Sequence, residues 1–290
     1  MDLPLPARGA RLDVGVVGAG RVGAVLGAAL RRAGHHVTAA SGVSDASRAR
    51  AALLLPGVPL RPADDVARSC TLLLLAVPDD ALPGLVAGLA ETGALRAGQL
   101  VAHTSGRHGL DVLAPAVRAG ALPLALHPVL PFAGTEVDLA RLTGASFGVT
   151  TPEGLRAVGE VLVLEMGGEP VWVEDALRPL WHAALAHGAN HLVTLVASAA
   201  DLLRQAGAHD PGAVLGPLLG AALDGALRSG DGALTGPVAR GDAGTLAAHL
   251  AVLPDDVRPA YTALARLTAD RALASGRLRA DQAADLLAVL

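Results

Sequence analysis

Apolar and polar positions along this chain follow two different rhythms. Up to about residue 174, short apolar runs are separated by stretches with helical spacing. Leu12–Gly18, His36–Ala40, Thr71–Val77, Gln99–Ala102, Leu122–Leu126, Ser146–Thr150 and Val171–Val173 have the length and composition of strands. Between them, Arg21–Ala33, Ala46–Leu55, Asp79–Glu91, a stretch near Leu110–Ala119, and Pro152 to about Met166 predict helices, the first closed by Gly34. Strands alternating with helices of this length predict an α/β fold with a parallel, doubly wound sheet. The unbroken run Leu72-Leu73-Leu74-Leu75-Ala76-Val77 fits a central strand covered on both faces. After Glu174 the texture changes, and Leu177–Ala206, Pro211–Arg228, Ala243–Leu253, Arg258–Ala274 and Asp281–Leu290 all read as helices. The expected organisation is an α/β domain over residues 10–174 followed by an all-helical domain over 175–290.

Composition narrows the possible partners. Hydrophobic residues make up 52% of the 290 positions but aromatics only 2%, so few rings are available to stack on unpaired bases. A net charge of −4 also argues against nucleic acid. All 23 basic residues are arginine, which rules out a catalytic or Schiff-base lysine. The lone Cys70 has no disulfide partner within the chain and suits a reducing compartment. Met1-Asp2-Leu3-Pro4 lacks the pattern of a signal peptide. The apolar stretch Ala183–Ala200 is interrupted by His187, Asn190 and His191, so it suits a buried helix better than a membrane span. A cytoplasmic protein acting on a small molecule, without membrane or nucleic acid, is expected.

The most specific motif is Gly18-Ala19-Gly20-Arg21-Val22-Gly23, a G-x-G-x-x-G at the junction of a strand and a helix. Gly18 permits the tight turn, Gly20 lets backbone amides approach a pyrophosphate, and Gly23 lets the helix lie close to the strand. A bound dinucleotide follows. No acid stands at the end of the second strand to hold the adenosine ribose 2′-hydroxyl. The sequence there is Ala40-Ser41-Gly42-Val43-Ser44-Asp45-Ala46-Ser47-Arg48, in which Ser41, Ser44 and Arg48 suit a 2′-phosphate. This favours NADP(H) over NAD(H), with helix capping the competing use of the serines.

Ligands of open α/β sheets sit outside the carboxyl ends of the strands. Three polar segments fall there: Val77-Pro78-Asp79-Asp80, His103-Thr104-Ser105-Gly106 and His127-Pro128. Val77, Pro78 and Asp79 are expected beside the nicotinamide and Ser105 and His127 beside the substrate, although Asp79 equally suits a helix cap. In the next helix, His182 and Asn190 lie about 80° apart at helical spacing, so both can line one cleft. His182 is the candidate proton donor, because imidazoles titrate near neutral pH. His187 and His191 have i, i+4 spacing but no evident third ligand, so no metal is expected. Arg240, in a Gly/Pro-rich loop, would either bind a substrate carboxylate or pair with Asp242.

Together these segments resemble the 6-phosphogluconate dehydrogenase superfamily, in particular its subgroup whose helical second domain is of unknown function. Gly18–Gly23, Ala76–Asp80, His103–Gly106, Leu126–Pro128, Trp181–Ala184, Asn190 and Thr235–Asp242 carry the resemblance. It implies NADP-linked reduction of a small C=O or C=N compound, with the helical domain supplying the substrate side and a homodimer contact. Hydroxyacid dehydrogenases and ketopantoate reductase in that superfamily use a catalytic lysine, which this chain lacks. Two alternatives follow from that departure. Either His182 replaces the lysine, with Asn190 and Ser105 positioning the oxygen of a carbonyl acid such as ketopantoate, or the chemistry is closer to the imine reductases of the pyrroline-5-carboxylate type. A non-catalytic NADP(H)-binding sensor or scaffold is the reading from another class.

Overall fold

A computed structural model describes residues 11–290. Contacts divide the chain into two compact units, the first ending at Gly188 and the second spanning Ala189–Leu290. The division falls later than the change of texture near residue 175. Helix α8 (Arg178–Leu185) is anchored on the first unit through Arg178, Trp181 and His182.

The first unit contains strands β1 (Asp13–Val17), β2 (His36–Ser41), β3 (Leu72–Leu75), β4 (Leu100–His103), β5 (Leu122–Pro128), β6 (Ser146–Thr150) and β7 (Glu169–Trp172). Its helices before α8 are α1 (Arg21–Arg32), α2 (Asp45–Leu54), α3 (Ala63–Arg68), α4 (Leu82–Glu91), α5 (Ala114–Arg118), α6 (Glu136–Arg141) and α7 (Arg156–Glu165). The strands form one sheet in the order β2-β1-β3-β4-β5-β6-β7. The expected doubly wound sheet is present, with one difference: β6 runs antiparallel to β5, and β7 pairs parallel with β6. Alternation of strand and helix does not by itself encode strand direction. The six-residue helices α3 and α6, rich in charge and short of apolar periodicity, were not evident from the sequence.

The four leucines of β3 explain the layering. Successive side chains of a strand point to opposite faces. Leu72 and Leu74 join the core against α1 and α7, and Leu73 and Leu75 join the core against α3 and α4. Helix α1 ends where Gly34, at φ +98°, lets the His35 N–H bond back to the Leu30 carbonyl (3.0 Å).

The second unit holds α9 (His191–Gln205), α10 (Pro211–Ser229), α11 (Gly236–Arg240), α12 (Ala243–Val252), α13 (Arg258–Ala274) and α14 (Ala280–Val289). A small core joins α11 to α14 around Val238, Leu246, Ala269 and Leu286. The helix expected over Leu177–Ala206 is interrupted by a π turn at Ala186–Asn190. That turn contains Gly188, a weak helix former. Among the described residues, no helix is long and apolar enough to cross a membrane.

Candidate active site at the carboxyl edge of the sheet

Strand register brings the candidate residues together. Val17, Leu75, His103 and Ala125 stand side by side across β1, β3, β4 and β5. The segments that follow them emerge at one edge, where the strand order reverses around β1 and ligands of such sheets sit.

The glycine turn has the geometry its motif predicts. Gly18 has φ +93°, and a Cβ there would lie 2.5 Å from the Ala76 carbonyl. A Cβ on Gly23 would strike the Gly18 carbonyl, so any larger residue separates α1 from the turn. Gly20 differs from both, because its nearest neighbour would be 4.0 Å away. Open space lies above Gly20, at the helix end whose first N–H groups lack intrahelical partners. Ala19, Arg21 and Val22 complete this turn and start α1.

Ser41 braces the turn from β2: its Oγ accepts from the Gly18 N–H (3.2 Å) and its carbonyl from the Ala19 N–H (2.7 Å). Ser44 caps α2, accepting the Ser47 N–H (3.2 Å). Arg48 donates to the Val43 carbonyl (2.5 Å) and to the Asp45 carboxylate. The three thus bracket the connection from β2 to α2, and Asp45 is the carboxylate that Arg48 engages there.

A cleft of about 410 Å³ is lined by Gly20, Arg21, Val22, Val77, Pro78, Asp79, Ser105, Gly106, His127 and His182, among others. Asp79 does not cap α4, which has no side-chain cap, but lies 3.5 Å from Arg107 Nε. The Ser105 hydroxyl oxygen accepts from the His108 N–H (3.1 Å), and the Ser105 carbonyl accepts from Arg178 (2.6 Å). His127 and His182 meet edge to face, with ring centroids 5.8 Å apart. Asn190 and Arg240 belong to the second unit, and both are exposed. The π turn also breaks the 100° phase on which the pairing of His182 with Asn190 rested. Arg240 ends the short helix α11 rather than lying in a loop, and the Asp242 carboxylate caps α12 by accepting the Thr245 N–H (3.0 Å).

Two side chains that bond to residues of the cleft were not singled out from the sequence. Arg178 is fully buried and donates to Ser105 O, Gly148 O and Thr150 Oγ1. Burial pulls its pKa down to about 10, opposed by Asp175 and Asp79. Trp181 donates its indole N–H to His127 Nδ1 (3.2 Å). Arg178, Trp181 and His182 are spaced i, i+3, i+4, which places all three on one helical face and was the available signal. Burial, then Arg178, then His182 push the His127 pKa down to about 4. His103, beneath the cleft, is pushed to about 3 by burial and then Arg178.

Comparison with known proteins agrees with this architecture. Residues 4–128 match the Rossmann-like domain family, and residues 145–268 match a domain of unknown function, DUF2520. The two matches lie one after the other along the chain, in the order the superfamily resemblance implied. The second match begins at β6, so it includes the last two strands of the sheet as well as helices. No curated protein matches the chain. Among solved structures, a candidate NADP oxidoreductase from Bacteroides fragilis is similar, with 21% identity over 90% of this chain and 98% of that one and a TM-score of 0.76. An imine reductase from Pseudomonas sp. shares 18% identity over 97% of this chain and all of its own (TM-score 0.66). A pyrroline carboxylate reductase from Plasmodium falciparum, with NADP bound, shares 12% over 95% and 98% (TM-score 0.57). At these identities the likeness is one of fold.

Proposed function

We propose that the protein is an NADP(H)-dependent oxidoreductase that reduces a small carbonyl acid, with ketopantoate the first candidate. The observation that carries this is the open space over Gly20, in a turn otherwise closed at Gly18 and Gly23, beside a cleft lined by Ser105, His127 and His182. Gly18–Gly23 would hold the pyrophosphate, and Ser41, Ser44 and Arg48 the 2′-phosphate. Val77, Pro78 and Asp79 would flank the nicotinamide, which when bound supplies a hydride from its C4. His182 would give a proton to the substrate oxygen while Ser105 positions it. Asn190 and Arg240 are the candidates from the second unit, Arg240 for a substrate carboxylate. NADP-bound and NADP-linked proteins among the similar folds support the cofactor assignment.

A homodimer is part of the proposal. Helix α9 buries none of its residues, and α10 leaves Val214, Leu218, Leu223 and Leu227 exposed. The two helices are neighbours, so a second copy presenting the same apolar face would cover both at once.

Binding of NADPH and NADH, followed by turnover on keto acids and cyclic imines, tests the assignment. Arg48→Ala should weaken NADPH much more than NADH, and equal losses would remove the 2′-phosphate role. His182→Ala should lower turnover by roughly 10²–10⁴ with little change in cofactor affinity. Turnover on imines alone would make the protein an imine reductase. NADPH binding with no turnover on either class would make it a sensor or scaffold.

A further inference from the structure

We propose that His127 is a fixed, uncharged hydrogen-bond donor whose Nε2–H meets an oxygen acceptor on the substrate, selecting carbonyl compounds over protonated imines. The inference rests on the reductase assigned above and names the chemistry its cleft accepts.

The first support is the partner of Nδ1. An indole nitrogen carries a hydrogen and offers no lone pair, so Trp181 can only donate. At 3.2 Å from Trp181 Nε1, His127 Nδ1 must be bare and the ring proton must sit on Nε2. A cationic imidazole, protonated on both nitrogens, would set N–H against N–H. Trp181 is held in place by close packing over Gly148, where an added Cβ would lie 2.8 Å from the indole nitrogen. Gly148 pairs with His127 across β5 and β6, so the sheet register itself brings indole and imidazole together.

The second is the buried charge one turn earlier. Arg178 is fully buried and, among the described residues, bonds to neutral oxygens, those of Ser105, Gly148 and Thr150. Among the described residues no carboxylate forms an ion pair with it. A further positive charge on His127 is unfavourable beside it. Arg178 and His182 oppose charging of His127, and Trp181 excludes it. Asp79 is the acid that favours charging, and Arg107 lies beside that carboxylate at 3.5 Å.

The third is where Nε2 lies. A Cβ added to Gly106 would be 2.9 Å from His127 Nε2 and 2.6 Å from His182 Cδ2, so both imidazole edges converge on this glycine in the cleft. A carbonyl oxygen accepts a hydrogen bond there. A reduced nicotinamide, when bound, would supply hydride to the carbon, and the C=O π pair moving onto oxygen would strengthen the bond from Nε2–H. The oxygen then takes its proton from His182, and His127 keeps its own. The nitrogen of a protonated imine has no lone pair for an Nε2–H.

Nitrogen NMR of the imidazoles in the intact protein reads the tautomer without any turnover. His127 should stay neutral, with the proton on Nε2, between about pH 5 and 8. A proton on Nδ1, or titration within that range, would overturn the proposal. Trp181→Phe keeps a ring and removes the donor. It should free the ring proton to exchange between Nδ1 and Nε2 and lower kcat/KM on a keto acid about 10–100-fold, with NADPH affinity nearly unchanged. An unchanged tautomer and kcat/KM in that variant would count against the proposal. His127→Gln, which retains an uncharged N–H, should keep roughly tenfold more activity than His127→Ala, and equal losses would refute the donor role. Higher kcat/KM on cyclic imines than on keto acids would overturn the substrate class. Failure to bind NADPH would instead defeat the reductase assignment, and it is read in a measurement separate from the NMR.

Discussion

Strand β3 and helix α10 are both rich in leucine, yet they use it in opposite ways. Every leucine of β3 is at most 2% exposed, shared between two cores by the alternation of the strand. In α10, Leu218 is 62% exposed and Leu227 is 80% exposed. The contrast shows where apolar sequence has met its partner within the chain and where it has not. The sheet unit packs the β3 leucines into two cores of its own. The second unit closes a core over α11 to α14 and leaves the apolar side of α9 and α10 for another surface.

The largest expected effect tests that contrast directly. Leu74→Ala removes a side chain packed on all sides and should cost about 2–5 kcal/mol in urea unfolding. Leu227→Ala should cost less than about 0.5 kcal/mol in the isolated chain. If the two losses are similar, the contrast is false. Leu218→Glu with Leu227→Glu should lower the mass measured by sedimentation while leaving the sheet folded. A wild-type chain that sediments as a monomer would overturn the homodimer.

The comparison sharpens inside the glycine turn. Gly18→Ala combines a strained positive φ with a clash against the Ala76 carbonyl, and should cost roughly 1–3 kcal/mol. Gly20→Ala meets open space, so it should leave the melting temperature within a degree or two and chiefly weaken NADPH binding. Equal stability losses at the two positions would remove the distinction between a structural and a ligand-facing glycine.

Acid should strain the sheet unit through its buried imidazoles. An unfolded imidazole takes a proton near pH 6.5. Folded His103 and His127, desolvated and facing Arg178, take theirs only near 3 and 4. Between those values the unfolded state binds more protons, so stability is fully present above about pH 6.5 and falls as pH drops below it. Each imidazole then costs about 1.4 kcal/mol per pH unit, or roughly 2 kcal/mol by pH 5. Urea midpoints at pH 7.5 and 5 measure this. His103→Gln should flatten the acid limb, and an unchanged slope would mean that His103 is not the buried neutral group described.

Much of the fold was legible because it rests on local periodicity. The run of four leucines marked the doubly covered strand, and the glycine spacing marked the turn that opens over Gly20. Features that depend on distant partners were not legible. Nothing local announces that β6 reverses direction, or that a π turn breaks the phase between His182 and Asn190. Arg178 and Trp181 escaped notice because their roles depend on atoms far along the chain, the Ser105 carbonyl and the His127 imidazole. Asp79 suited both a helix cap and a place beside the nicotinamide, and the fold sets it in the cleft without capping α4.

A difference in affinity between two cofactors separates local capping from cofactor binding in the loop after β2. Ser44 accepts the Ser47 N–H as the cap of α2, and Ser44→Ala should cost about 1 kcal/mol whatever else it does. If Ser44 also holds the 2′-phosphate, the variant loses affinity for NADPH but not for NADH. If it is a cap alone, both affinities fall together or stay unchanged. Ser41→Ala is the companion test, since its Oγ accepts the Gly18 N–H in the turn and is also proposed for the 2′-phosphate. A loss confined to NADPH in the Ser44 variant, beside a loss common to both in the Ser41 variant, would divide the two serines between phosphate recognition and support of the turn. Losses of the reverse pattern would exchange those assignments.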